Sequence, residues 1–138
     1  MISKRFPCPC CGYPTLTAQN EWEICILCHW EDDGQDDSSA NQILGGPNGK
    51  YSLTMARKNF EKYLIMYSPD SDTRIVPEDW PGERSIKASL IKSFEKLKNT
   101  IDKTTIHLIW QQIYELEQKL DEITSQKIKQ YESSLLKK

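Results

Sequence analysis

An α+β fold is what this sequence predicts, and three observations predict it. All five cysteines fall between residues 8 and 28 at short spacings. Glycine and proline interrupt the middle of the chain repeatedly. From residue 85 to the end neither occurs, and apolar residues recur there at helical spacing. The expected architecture is a small β-hairpin module, then a short helix, then a C-terminal helical hairpin or coiled-coil-like extension. Its boundaries are residues 1–68 for the cysteine-rich module with its helix, 69–84 for an irregular linker and 85–138 for the helical extension.

The module rests on Cys8, Cys11, Cys25 and Cys28, which form C-x2-C-x13-C-x2-C. Two such pairs suit tetrahedral zinc, because each tight knuckle offers two thiolates, at about 2.3 Å from the metal, together with backbone N–H groups that point at them. Gly12 stands where the chain must turn sharply after the second cysteine. The spacer "GYPTLTAQNEWEI" alternates loosely on either side of "AQNE" and is expected to form a hairpin that brings both knuckles to one end, as in a zinc ribbon. Zinc is therefore the expected cofactor, held by these four cysteines.

The stretch "CPCC" also reads as C-P-x-C, a dithiol redox motif. That chemistry needs a helix N-terminus to lower the thiol pKa. Gly12 and Pro14 follow the motif instead, and nothing resembling a strand is expected before it. Cys10 is expected to cap the knuckle or pack as a small apolar group. Five cysteines without a secretion signal argue against a disulfide framework. His29 directly follows Cys28, and neighbouring residues seldom converge on one metal. His107 lies among Ile and Trp, where a partly buried imidazole is expected.

Glu31, Asp32, Asp33, Asp36 and Asp37 in "WEDDGQDD" invite a calcium reading. The pattern fails because no glutamate occupies the bidentate position and no flanking helix pair is evident. A solvated acidic turn is expected instead, with the capacity to dock a basic partner. The stretch "NQILGGPNGKYS" then reads as a linker, broken by its glycines and its proline. Ser52 is a plausible N-cap for a helix carrying Leu53, Ala56, Phe60, Tyr63 and Leu64, which should stop before "SPDSD".

Beyond "RIVPEDWPGERS", Ile86, Leu90, Ile91, Phe94, Leu97 and Ile101 form one apolar stripe. Ile106, Ile109, Ile113, Leu116, Leu120 and Ile123 then step by three and four, with Lys127 breaking the register. The polar run "KNTIDKTT" between them suits a turn, so the two stripes can cover each other within one chain or pair across a homodimer.

Together "CPCCGYPTL", "WEICILCHWEDDGQD", "GGPNG" and "SLTMARKNFEKY" resemble the bacterial cysteine-rich CPCC family of small proteins, over about residues 6–64. By that resemblance Cys8, Cys10, Cys11, Cys25 and Cys28 match the family's cysteine pattern, and Trp30, Glu31, Asp32, Asp33 and Gly34 match its "WEDDG" segment. The resemblance implies a zinc-binding fold and no activity. The helical tail has no counterpart in it.

The first functional reading is non-enzymatic: a zinc-stapled module that binds another protein, with the acidic turn and the exposed aromatics Trp22 and Trp30 as contact surfaces. An inhibitor or immunity-type protein against a basic toxin is its specific form. Catalysis lacks support, since four thiolates close the metal's coordination. The alternative is a nucleic-acid-binding zinc ribbon, weakened because residues 1–40 carry two basic against seven acidic side chains. A second alternative is a thiol oxidoreductase using Cys8 and Cys11. The opening "MISKRFPC" has no apolar run behind its basic residues, and no stretch approaches the ~20 apolar residues of a membrane span, so a cytoplasmic location is expected.

Overall fold

Each pair of cysteines lies at the tip of its own small hairpin. In the computed structural model, which describes residues 4–69 and 82–136, β1 (Phe6–Pro7) pairs antiparallel with β2 (Pro14–Leu16), in register Phe6 with Leu16 and Pro7 with Pro14. A strand therefore does precede the first knuckle, contrary to expectation. It is short because Pro7 and Pro14, lacking N–H donors, limit the ladder. The second knuckle is closed by an isolated bridge between Ile24 and Glu31, flanked by bonds from Cys25 N–H to the Trp30 carbonyl and from Asp32 N–H to the Glu23 carbonyl, both 2.9 Å. The spacer is thus not one hairpin linking two knuckles. It is the outer strand of the first hairpin followed by the entry strand of the second.

The predicted linker 41–52 is a structural part of the module. Asn48 is buried at the end of a short 3-10 turn, Gly46–Asn48. Its side-chain oxygen accepts from Glu31 N–H at 3.0 Å while its amide donates to the Glu31 carbonyl at 2.9 Å. One side chain thereby does what a neighbouring strand would do for the open edge of Glu31.

Helix α1 (Leu53–Tyr63) begins at Ser52, whose hydroxyl accepts from Met55 N–H at 3.1 Å. It ends where Leu64 turns left-handed and bonds back to the Phe60 carbonyl. Leu53, Ala56 and Phe60 face the interior with Leu16, Leu27, Trp30, Tyr51 and Met66. The chain then returns to the second knuckle, where Met66 N–H donates to the Cys28 carbonyl at 2.9 Å.

The chain divides into two compact units, Met1–Glu78 and Asp79–Lys138. Most of the predicted connection 69–84 lies outside the described residues. In the second unit, α2 (Glu83–Lys98) and α3 (Lys103–Leu136) pack on each other across a turn at 99–102. Leu90 and Phe94 meet the side of α3 that buries Ile109, Trp110, Ile113, Leu120 and Ile123, with the Phe94 and Trp110 rings edge to face at 6.3 Å. One expectation changes here. Ile101 is 92% exposed because it sits in the turn rather than on the stripe. Lys127, which breaks the apolar register, reaches across to the Glu83 carboxylate, which also receives Lys87 at 3.8 Å. Among the described residues no helix is long and apolar enough to cross a membrane.

Candidate metal centre

The two knuckles repeat one local geometry. Gly12 N–H donates to the Cys8 carbonyl at 2.8 Å, and His29 N–H donates to the Cys25 carbonyl at 2.9 Å. Both turns require a left-handed residue just after the second cysteine, and Gly12 and His29 supply it at φ +79° and +72°. Cysteines three apart on such a turn project their sulfurs to one side, so two turns facing each other make four converging sulfurs.

They do converge. The Sγ atoms of Cys8, Cys11, Cys25 and Cys28 all lie within 4.8 Å of one another, so the cluster could hold a metal ion. Cys8 and Cys28 are 3.5 Å apart and Cys11 and Cys25 3.8 Å, each pair spanning the two knuckles. With metal–sulfur bonds of about 2.3 Å, tetrahedral geometry sets adjacent sulfurs about 3.8 Å apart. The spacing thus suits four thiolates around one ion, and it is too long for a disulfide, whose sulfurs are about 2.05 Å apart. All five cysteines are free thiols. Cys8, Cys25 and Cys28 are buried and Cys11 is partly exposed, which gives the cluster one face toward solvent.

Crowding shifts Cys11, Cys25 and Cys28 in opposite directions. The hydrogen bond with Cys25 pushes the Cys11 thiol far up. At Cys25 burial opposes the charge, yet hydrogen bonds from Cys11, Cys28, Cys8 and Thr15 hold it well below the usual thiol range. Burial first, then the neighbouring thiols beginning with Cys10, pushes Cys28 up. At Cys25 the Thr15 hydroxyl lies 3.0 Å from the sulfur and Cys28 N–H points at it from 3.5 Å, two contacts that favour a thiolate there. A bound cation would draw off the remaining protons, as metal ligation of thiols requires.

Cys10 is buried, as expected for a packed apolar group, and lies outside the four-sulfur cluster. Neither histidine joins the cluster. His29 stacks edge-on against Tyr67 at 6.4 Å. His107 is exposed and bonds Gln111, a correction to the partly buried imidazole expected, because its turn of α3 points away from the α2-facing stripe.

Two further expectations are overturned. Trp30 is fully buried rather than an exposed contact aromatic, since Cys25 N–H bonds its carbonyl and the hairpin folds its ring inward; Trp22 remains 58% exposed. The acidic turn is only partly solvated. Asp32 is buried and accepts from Asn20 N–H at 2.7 Å and Gly34 N–H at 3.4 Å. Asp36 caps a short 3-10 turn, Asp37–Ser39, where bonds from the Ser38 side chain and backbone keep its carboxyl low. Asp37 pairs with Arg57 at 2.6 Å. That arginine also donates to the Pro9 carbonyl at 3.0 Å, tying α1 to the tip of the first knuckle.

Arg57, Asn48, Thr15 and Met66 all support the cluster, and sequence reasoning had found none of them. Only the threonine carried a local signal, as a hydroxyl on the strand leaving the first knuckle. Residues 6–78 match the family model described as Cysteine-rich CPCC. No curated protein and no solved structure matches the chain.

Proposed function

We propose, from the premise that the chain belongs to the cysteine-rich CPCC family, that it is a zinc-stapled, non-enzymatic module that works by binding another protein. The observation that carries the zinc assignment is the four-sulfur cluster, whose 3.5 and 3.8 Å cross-knuckle distances fit a tetrahedral thiolate site. Four thiolates suit zinc over calcium or magnesium, which take oxygen ligands. They also fill its coordination, leaving no position for water or substrate, so the metal's role is structural.

Oxidoreductase chemistry at Cys8 and Cys11 fits this geometry poorly. Their knuckle is the tip of a hairpin, without the helix N-terminus that activates such a thiol. For partner binding, the support is an outward face on the second hairpin. Trp22 and Ile24 are each 58% exposed there, beside the acidic Glu21 and Glu31. Four thiolates on one dication add further negative charge, which favours a basic protein over nucleic acid. An inhibitor or immunity-type role against a basic toxin is the specific form of this reading.

Elemental analysis of protein purified under reducing conditions tests the metal. One zinc per chain in wild type, lost in Cys25→Ser, is expected; a folded wild-type protein without metal would refute it. Photo-crosslinking from position 22 tests the partner face. A basic protein captured there, and not from a position on α1 such as 58, is the expected result.

A further inference from the structure

The pairing of α2 and α3 leaves one polar groove that neither the metal centre nor the partner face uses. It is open to solvent, with a volume of about 310 Å³, and three lysines line it: Lys92 and Lys96 from α2 and Lys119 from α3. On the same hairpin Lys87 and Lys127 reach Glu83 and Lys98 reaches Glu95. Among the described residues Lys92, Lys96 and Lys119 make no ion pair, and Glu115 is the lone carboxylate in the lining. Lys92 and Lys96 stand four apart on one helix face, an arrangement of like charges that opposes helix formation unless an anion relieves it.

Ser93 is 7% exposed and lines the groove, and its hydroxyl makes no hydrogen bond among the described residues. Its oxygen is not sealed from solvent, so the hydroxyl is open to a ligand in the groove. Gln112 lines the same groove from α3 and makes no hydrogen bond among the described residues. Three lysines, a serine and a glutamine thus border one groove.

We propose that this groove binds a compact phosphate-bearing ligand. Lys92, Lys96 and Lys119 would hold the phosphoryl oxygens as point charges. Ser93 and Gln112 would donate the neutral hydrogen bonds that fix its orientation. A phosphoryl group matches the set better than a carboxylate, because it offers up to three terminal oxygens and close to two charges. The volume lies at the small end of ligand sites, which suits one or two phosphoryl groups with a small body attached. The site stands on α2 and α3 alone and does not depend on the zinc assignment.

Titration of the full chain with pyrophosphate and with inorganic phosphate, at constant ionic strength and followed by amide NMR, tests it. Saturable shifts centred on residues 89–96 and 112–119 are expected. Lys92→Gln/Lys96→Gln/Lys119→Gln should weaken binding by about tenfold or more, the sum of three exposed charge contacts. Ser93→Ala should weaken it less and leave its salt dependence unchanged, which a merely structural serine would not do. Should the triple variant lose helicity, the single variants Lys119→Gln and Ser93→Ala carry the comparison. No saturable binding of either anion, or equal binding by the variants, overturns the proposal. So does tight binding of a short single-stranded oligonucleotide that pyrophosphate fails to displace, since that would make these lysines part of a nucleic-acid surface.

Discussion

Gly12 and His29 occupy matching positions in the two knuckles and adopt the same left-handed backbone. An added Cβ at Gly12 would meet nothing within 4 Å, so substitution there has a conformational cost without a steric clash. Gly12→Ala should therefore destabilise the metal-loaded protein by about 1–2 kcal/mol, read as a lower urea midpoint. An unchanged midpoint would mean the knuckle closes equally well in another conformation. Cys10→Ala should keep one metal ion per chain by elemental analysis, because Cys10 stands outside the four-sulfur cluster; loss of the ion would make it a ligand. At this scale the grouping of Cys8, Cys11, Cys25 and Cys28 was legible, because paired C-x-x-C spacing reflects a local turn geometry. Burial of Trp30 and Asp32 was not legible. Both depend on bonds to distant backbone, and such bonds leave no periodic trace in the chain.

Among the elements, the helices were the most legible, because their apolar residues recur at helical spacing and Ser52 marks the start of α1. Ser52 is buried and accepts from Met55 N–H, so Ser52→Ala should cost about 1 kcal/mol in urea unfolding and fray the first turn of α1. Asp102 does the same for α3, accepting from the Thr105 N–H at 2.9 Å and hydroxyl at 2.6 Å, and these bonds lower its pKa. A carboxyl lowered in the folded state adds stability above its unfolded pKa and loses it as pH falls through the folded value. Wild type should therefore be more stable than Asp102→Asn at pH 7, and the difference in urea midpoint should vanish as pH drops below the carboxylate range. A difference that persists in acid would show that the cap does not depend on charge. The hairpins were read less well. A ladder limited by two prolines and an isolated bridge shows no alternation long enough to register, and Asn48 acting as a surrogate strand looks like a linker residue in a glycine-rich run.

For the whole molecule, the two units differ in what holds them. Among its described residues the first, Met1–Glu78, has short strands, 3-10 turns and one 11-residue helix around the four-sulfur cluster. With so little regular structure, the proposed metal ion is expected to supply much of the folding free energy, on the order of 10 kcal/mol in zinc-finger peptides. The second, Asp79–Lys138, is closed by the apolar contact of α2 with α3 and by the Glu83 ion pairs, neither of which involves a metal. Chelation should therefore unfold the first unit alone. Because α1 supplies only 11 of the helical residues and α3 supplies 34, most of the far-UV helical signal should survive chelator. The amide resonances of residues 6–68 should meanwhile collapse toward random-coil shifts, and protons should mimic the chelator as pH falls, since thiolates must be deprotonated to bind. If α2 and α3 melted together with the cysteine module, the helical extension would owe its stability to the metal centre, and the two units would be one cooperative fold.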